Sequence, residues 1–325
     1  MKRDISRSEG MVLFSTGFNA CAQLSFDADA SQDEPDDLYS FTEILRGQGI
    51  ERPVARLSYT LVRHHGRLCM AGIGPEVEEV REAAYLFAEA ANGEILVVQR
   101  EDAHATGEEA PAKPLLKYAS FAAWRAGEVQ HSWTPNSPVQ TMAAFDAGFV
   151  ILHQDGTVAT MGDARYEDCL GRDVAQDSPA TEPGIVTDLA DLGEPVKHVS
   201  ASGYTLAALT ESGAMYVWGL PSKGLQRRPG AFSNLGRVPN YVEIDNGKDV
   251  LDMAVGDSHA LALTTDGFIY VIGGNDNGQL GLGKPDTSGL QSWTKSAFQP
   301  PSGHKAVAVA AGPRSSFILS AAVEA

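Results

Sequence analysis

Gly256-Asp257-Ser258-His259 places a carboxylate, a hydroxyl and an imidazole in succession, the side-chain types from which a nucleophile, its base and an orienting acid are assembled. A triad needs those groups to converge in space, and neighbours along a strand point to opposite faces, so the run argues against its own chemistry. A polar residue that ties backbone groups together at a turn is the better account of His259. His64-His65 precede Gly66 as two residues of an exposed hairpin, and His104, His131, His153, His198 and His304 stand alone. Gly273, Gly274, Gly278, Gly281 and Gly283 have the density of a phosphate cradle, but a cradle needs a helix N-terminus after it and none is predicted. The acidic run over residues 27–37, DADASQDEPDD, lacks the glycine turn and distal glutamate of a calcium loop. No HExxH, GxSxG or GxxxxGK[ST] occurs. No catalytic residue, metal ligand or cofactor site is expected, nor a small-molecule substrate.

Composition narrows the remaining classes. Cys21, Cys69 and Cys169 are odd in number and far apart with no CxxC, which suggests small buried hydrophobes in a reducing compartment. The cytoplasm, with the nucleus second, is the expected location. Forty-two acidic residues against 25 basic ones give a net charge of −17, which repels phosphate backbones, so no direct nucleic-acid binding is expected. Acids cluster at Asp27, Asp29, Asp33, Glu34, Asp36 and Asp37, and again at Glu101, Asp102, Glu108 and Glu109; Lys223, Arg227, Arg228 and Arg237 form the one basic stretch. No apolar run nears the roughly 20 residues of a membrane span. The polar start, MKRDISRSEG, has no apolar signal core and is expected to be a loose tail over residues 1–10.

The elements that must carry any site are short strands punctuated by turn glycines. MAVGDSHALALTTDGFIYVIGGNDNGQLGLG, residues 253–283, reads as strands at Met253–Val255, Ala260–Leu263 and Phe268–Ile272, closed by a glycine-rich loop. Asp266-Gly267 with YVIG after it matches Ser212-Gly213 with YVWG, 54 residues earlier. Asp155-Gly156 followed by VATMG and Gly66 within YTLVRHHGRLCMAG repeat the unit, and Asn92-Gly93 followed by EILVV does so more weakly. A period of about 50 residues fits a four-stranded propeller blade. The pattern resembles the regulator of chromosome condensation repeat family, whose repeats are such blades.

The ends close the pattern. Residues 307–319, VAVAAGPRSSFIL, supply two strands of a repeat, and residues 12–24, VLFSTGFNACAQL, supply its other half if Asn19 is placed on Asn275 and Gln23 on Gln279. A blade shared by both termini makes sense in a closed ring, which removes open sheet edges. The expected fold is therefore all-β, a single closed β-propeller over residues 11–325. Six blades can be read; the resemblance implies seven, the last falling around Gly127 in FAAWRAGEVQHSW. Residues 76–91, EVEEVREAAYLFAEAA, have helical periodicity, but their layout into Asn92-Gly93 repeats VKHVSASGYTLAALTESG. The repeat layout is followed here.

Binding is the function such a ring offers, through loops that carry aromatic or arginine anchors. The candidates are Phe18, Tyr166, Leu220, Arg227, Arg228 and Trp293. Phe18 and Tyr166 follow third strands, where the resemblance implies an exposed loop. Trp218 reads as core, and Trp124 and Trp133 are ambiguous. Within the family, size, acidity and the shortness of the chain resemble the fungal killer-toxin-insensitivity scaffolds. That resemblance implies a non-catalytic scaffold for a small zinc protein serving Elongator-dependent tRNA wobble-uridine modification and diphthamide synthesis. A nucleotide-exchange factor for a Ran-type GTPase with chromatin docking is one alternative, against which stand the weakly basic tail and Phe145, Ser202 and Ala22 where better-kept repeats have glycine. An adaptor or inhibitor of another enzyme on the same fold is the other.

Overall fold

The computed structural model describes residues 10–26, 35–76, 82–100, 112–220, 230–283 and 289–323, and builds them mainly from short strands. In chain order these are β1 (Met11–Gly17), β2 (Leu38–Gly47), β3 (Val54–Ala55), β4 (Tyr59–His64), β5 (Arg67–Gly72), β6 (Tyr85–Glu89), β7 (Ile95–Gln99) and β8 (Leu115–Tyr118). There follow β9 (His131–Trp133), β10 (Val139–Phe145), β11 (Gly148–His153), β12 (Val158–Gly162), β13 (Gly184–Ile185), β14 (Val196–Ser202), β15 (Thr205–Thr210) and β16 (Met215–Gly219). The last are β17 (Asn240–Val242), β18 (Val250–Val255), β19 (His259–Thr264), β20 (Ile269–Gly273), β21 (Leu290–Lys295), β22 (His304–Ala311) and β23 (Ser315–Ala322). They form six sheets, the blades of a β-propeller. Residues 1–80, 222–233 and 243–325 make one compact unit, with sheets β2-β1-β23-β22, β3-β4-β5 and β18-β19-β20-β21. Residues 81–221 and 234–242 make the second, with β6-β7-β8-β9, β10-β11-β12-β13 and β14-β15-β16-β17.

The second strand of each repeat explains why the blades stack. HALALT in β19 and GFVILH in β11 are buried at every position, as a strand must be when both faces of its sheet are covered. Within the first unit, Val12 and Phe14 of one blade pack against Leu261, Leu263 and Val271 of the next. Within the second, Val150 and Leu152 pack against Leu206, Ala208 and Trp218. At one point a volume has been exchanged. The His259 ring lies against Gly256, where a Cβ would collide with it; in the repeat of β10 and β11 the ring belongs to Phe145 and the vacant place to Gly148, whose Cβ would stand 2.7 Å from Phe145 Cζ. Phe145 is therefore compensated packing, not decay of the repeat.

The terminal blade forms as the repeats required. β1 and β23 pair antiparallel from Met11 opposite Ala321 to Gly17 opposite Ser315. The loops confirm the register: Asn19 Oδ1 accepts from Leu24 N–H and Asn275 Oδ1 from Leu280 N–H, both at 2.9 Å. Gln23 Oε1 accepts from Cys21 N–H and Gln279 Oε1 from Asn277 N–H, again both at 2.9 Å. Ala22 holds a left-handed φ of 57° where its twin Gly278 has 83°.

Two local readings needed the structure. Tyr85–Glu89 is strand β6, with Asn92 at the hairpin accepting from Glu94 N–H, so the repeat layout outranks helical periodicity; residues 77–81 lie outside the described residues. A seventh blade around Gly127 does not form. Ser120 accepts from Ala123 N–H and Gly127 takes φ 73°, the two caps of a short helix α1 (Phe121–Ala126), and the following β9 joins the outer edge of the β6–β8 sheet. The residues 1–9 of the expected tail are likewise outside the described residues.

Candidate protein-binding face

One backbone bond recurs in all six blades and fixes the loops that leave the third strands. The N–H just past each third strand donates to the carbonyl just before the second strand: Phe18 to Arg314, Ile73 to Ser58, Arg100 to Ala84, Asp163 to Ala147, Leu220 to Tyr204 and Gly274 to Ser258, at 2.7–3.0 Å. The approach is close enough to demand glycine. A Cβ on Gly17, Gly72, Gly162, Gly219 or Gly273 would strike the accepting carbonyl, and only Gln99 departs from the rule. The side chain after this glycine is thus presented at one equivalent place in each blade, and in Phe18, Ile73 and Leu220 it is apolar.

In the first unit these positions join into a surface. Gln23 Nε2 donates to Phe18 O at 2.9 Å and to Leu57 O at 3.0 Å, binding two loops together. Ile73 N–H reaches Ser58 O at 2.7 Å, which seats Ile73 beside Leu57. Ile73 is 71% exposed and Leu57 46%, high for aliphatic side chains. On the other flank the Arg314 guanidinium lies 5.9 Å from the centre of the Phe18 ring.

In the second unit Tyr166 stacks on Tyr204, ring centres 5.0 Å apart at 26°, and Leu220 packs beside them against the Trp218 cluster. Burial pushes the Tyr204 phenol above its ordinary value, and its hydrogen bond with Tyr166 adds to the shift. Arg165 grips Asp163 through Nε and Nη2 at 2.9 and 2.6 Å, and holds that carboxyl below the usual range. This cluster is polar at its rim and rigid at its base, as a docking anchor should be.

The remaining sequence candidates fall elsewhere. Trp293 lies in the edge strand β21, not in a loop, with the Phe232 ring 6.2 Å away. Lys223, Arg227 and Arg228 lie outside the described residues, as do Asp27, Asp29, Asp33, Glu34, Glu101, Asp102, Glu108 and Glu109. Arg237 pairs with Glu167 at 3.1 Å and Asp173 at 2.7 Å within the second unit. Trp218 is core, its indole N–H donating to Cys169 O at 3.0 Å, and Trp124 is buried against Phe87 and Phe121. Trp133 stacks on His131 in edge strand β9.

His259 is fully buried, which drives its pKa down to about 4, against an opposing pull from the Ser315 backbone. The ring fills the space over Gly256, and its one backbone neighbour of consequence is Ser315. His64 is half-buried, its Nε2 turned against Gly47, while His65 is exposed. Burial pushes the Cys169 thiol up to about 12, far from a reactive thiolate. Among the described residues no three His, Cys, Asp or Glu side chains stand close enough to hold a metal ion.

Sequence reasoning missed Ile73, Leu57, Tyr204 and Arg314. The signal for Ile73 was present: it follows Gly72 as Phe18 follows Gly17 and Leu220 follows Gly219.

Comparison with known proteins agrees with this geometry. Residues 250–279 and 266–319 match the regulator of chromosome condensation (RCC1) repeat. Within residues 250–319 the chain carries RCC1 repeats. Over 139 residues, 42% of its length, it is 38% identical to the human E3 ubiquitin-protein ligase HERC2, a match covering 3% of that protein. Over 137 residues, 41% of its length, it is 35% identical to the mouse regulator of chromosome condensation, covering 30% of that protein. The chain thus spans less than a third of these curated relatives. Among solved structures, human WBSCR16 aligns with a TM-score of 0.59 at 15% identity, covering 97% of this chain and all of that one. Prp20p from Saccharomyces cerevisiae aligns at 0.61 with 13% identity, covering 97% of this chain and 92% of that one. At such identities the likeness shows the propeller fold.

Proposed function

We infer that this RCC1-repeat propeller is a non-catalytic scaffold that binds a protein partner through the loops leaving its third strands. The observation that carries the reading is the rigidly bonded placement of Phe18 and Ile73 in the first unit, with Ile73 and Leu57 held out to solvent; Leu220 takes the equivalent place within the second unit. Preorganised apolar anchors lose little conformational freedom on docking, which is what makes such a surface useful for binding. As partner we propose the small zinc protein of Elongator-dependent tRNA modification and diphthamide synthesis, with the cytoplasm and then the nucleus as compartments; net acidity and the resemblance described above support it. A Ran-type GTPase is the second reading, favoured by the likeness to Prp20p, whose structure is described with its binding to Gsp1p and histones. Purified chain titrated separately with the zinc protein and with nucleotide-loaded Ran decides between them. A stoichiometric complex with the first, weakened by Ile73→Asp or Leu220→Asp, is expected; faster nucleotide release from Ran without binding to the zinc protein overturns the choice of partner.

A further inference from the structure

Arg314 is anomalous in a chain with 42 acidic residues. Among the described residues its side chain forms no ion pair and no hydrogen bond; it meets only the Phe18 ring, 5.9 Å from the guanidinium carbon to the ring centre. The other arginines of the loops differ: Arg165 is clamped to Asp163, Arg237 to Glu167 and Asp173, and Arg52 to Asp252 at 2.8 Å. An arginine whose guanidinium stands by an aromatic ring and has no carboxylate partner keeps its donors available, a state suited to gripping a carboxylate with two parallel bonds. Beside it the surface is aliphatic. Gln23 joins the Phe18 and Leu57 carbonyls, and Ser58 O holds Ile73, so a guanidinium, a ring and two aliphatic side chains follow one another on hydrogen-bonded loops.

We propose that this surface of the first unit docks a partner segment in which an acidic side chain stands next to aliphatic ones, the carboxylate on Arg314 and the aliphatic groups on Leu57 and Ile73. The proposal deepens the scaffold reading and rests on it. Charge complementarity names the occupant: the Arg314 guanidinium, unpaired among the described residues, would gain a partner in a carboxylate, and the aliphatic groups beside it would fix the register. A basic segment would meet Arg314 with like charge, and a second copy of this chain would bring its own large negative charge.

The test uses the full chain, immobilised, against a displayed library of random hexapeptides, followed by anisotropy titration of the most enriched peptide. Enrichment of Asp or Glu beside Leu, Ile or Val is expected. Arg314→Glu should invert the charge preference to Lys or Arg, and the original peptide should bind about tenfold or more weakly to it. Ile73→Ser should weaken binding several-fold with no change in charge preference, and Lys113→Glu, at an exposed position in the second unit, should leave binding unchanged. Both loop variants alter solvent-facing groups, and unchanged melting curves establish that they fold. Basic or uncharged winners, no enrichment at all, an Arg314→Glu protein that keeps the same winners, or self-association abolished by Ile73→Ser each overturns the proposal. If the zinc protein or Ran still binds in a Leu220-dependent way under any of these outcomes, the scaffold reading stands without it.

Discussion

Ala22 and Gly278 occupy the same corner of two matched loops, which makes them a paired experiment on backbone strain. Each N–H returns to the asparagine carbonyl three residues back, Ala22 to Asn19 at 2.9 Å and Gly278 to Asn275 at 3.1 Å, and each residue holds positive φ, 57° and 83°. A side chain in that region costs about 1–2 kcal/mol, and glycine returns about 0.5–1 kcal/mol of this through its freer unfolded state. Ala22→Gly should therefore stabilise the protein by about 0.5–1 kcal/mol. Gly278→Ala adds the same strain and a steric conflict, because its Cβ would stand 2.7 Å from Leu38 O and 2.8 Å from Tyr39 Cδ1. Its cost should reach about 2–5 kcal/mol once overpacking is included. Urea melts followed by tryptophan fluorescence read both. With a slope of about 2 kcal/mol per molar, Ala22→Gly should raise the midpoint by about 0.2–0.5 M. A lower midpoint for Ala22→Gly, or a harmless Gly278→Ala, would refute the matching of the two loops.

Other consequences can be checked separately. His259 is held neutral by burial with a pKa near 4 against 6.5 when exposed, so the unfolded chain binds the extra proton first as pH falls. Stability should drop by about 3 kcal/mol between pH 6.5 and 4 from this group, and His259→Gln should flatten that part of the pH profile in acid-unfolding curves. Arg172 is buried, and its guanidinium donates to the carbonyls of Thr160, Ser178, Pro179 and Glu182 at 2.9–3.3 Å. Arg172→Lys cannot reach this fork of acceptors, and a loss of about 3 kcal/mol is expected in the same melts. Deleting residues 11–24 removes β1 and should yield aggregated protein by size-exclusion chromatography, whereas deleting residues 1–9 should give a normal elution profile.

Most of the blade order was legible because turn glycines and apolar runs recur at fixed spacing, and the terminal blade followed from matching Asn19 and Gln23 to Asn275 and Gln279. Less visible were features that leave composition unchanged. The first strands β10, β14, β18 and β22 each carry a register shift at Gln140, Lys197, Leu251 and Val307, and a bulge has no residue signature of its own. Phe145 looked like a lost glycine because a single position was read, while the space it needs is supplied by Gly148, three residues on. FAAWRAGEVQHSW contains a hairpin-like glycine, but Ser120 and Gly127 also cap a helix, and local capping prevailed. At the binding face, Phe18, Tyr166 and Leu220 could be chosen as exposed loop residues, whereas the significance of Arg314 depends on what it fails to touch.

The pairing of β1 with β23 sets an order of events during synthesis. Met11 leaves the ribosome long before Ala321, and at about 5–20 residues per second the interval is roughly 15–60 s. β2 follows soon after and can zip onto one side of β1 at once; the other side must stay unmatched until the final strand emerges. For that time a strand of sequence MVLFSTG, apolar and without charge, is available to any passing strand. During synthesis the chain is thus exposed at β1, and a chaperone that shields residues 11–17 until β23 emerges would protect the blade they share.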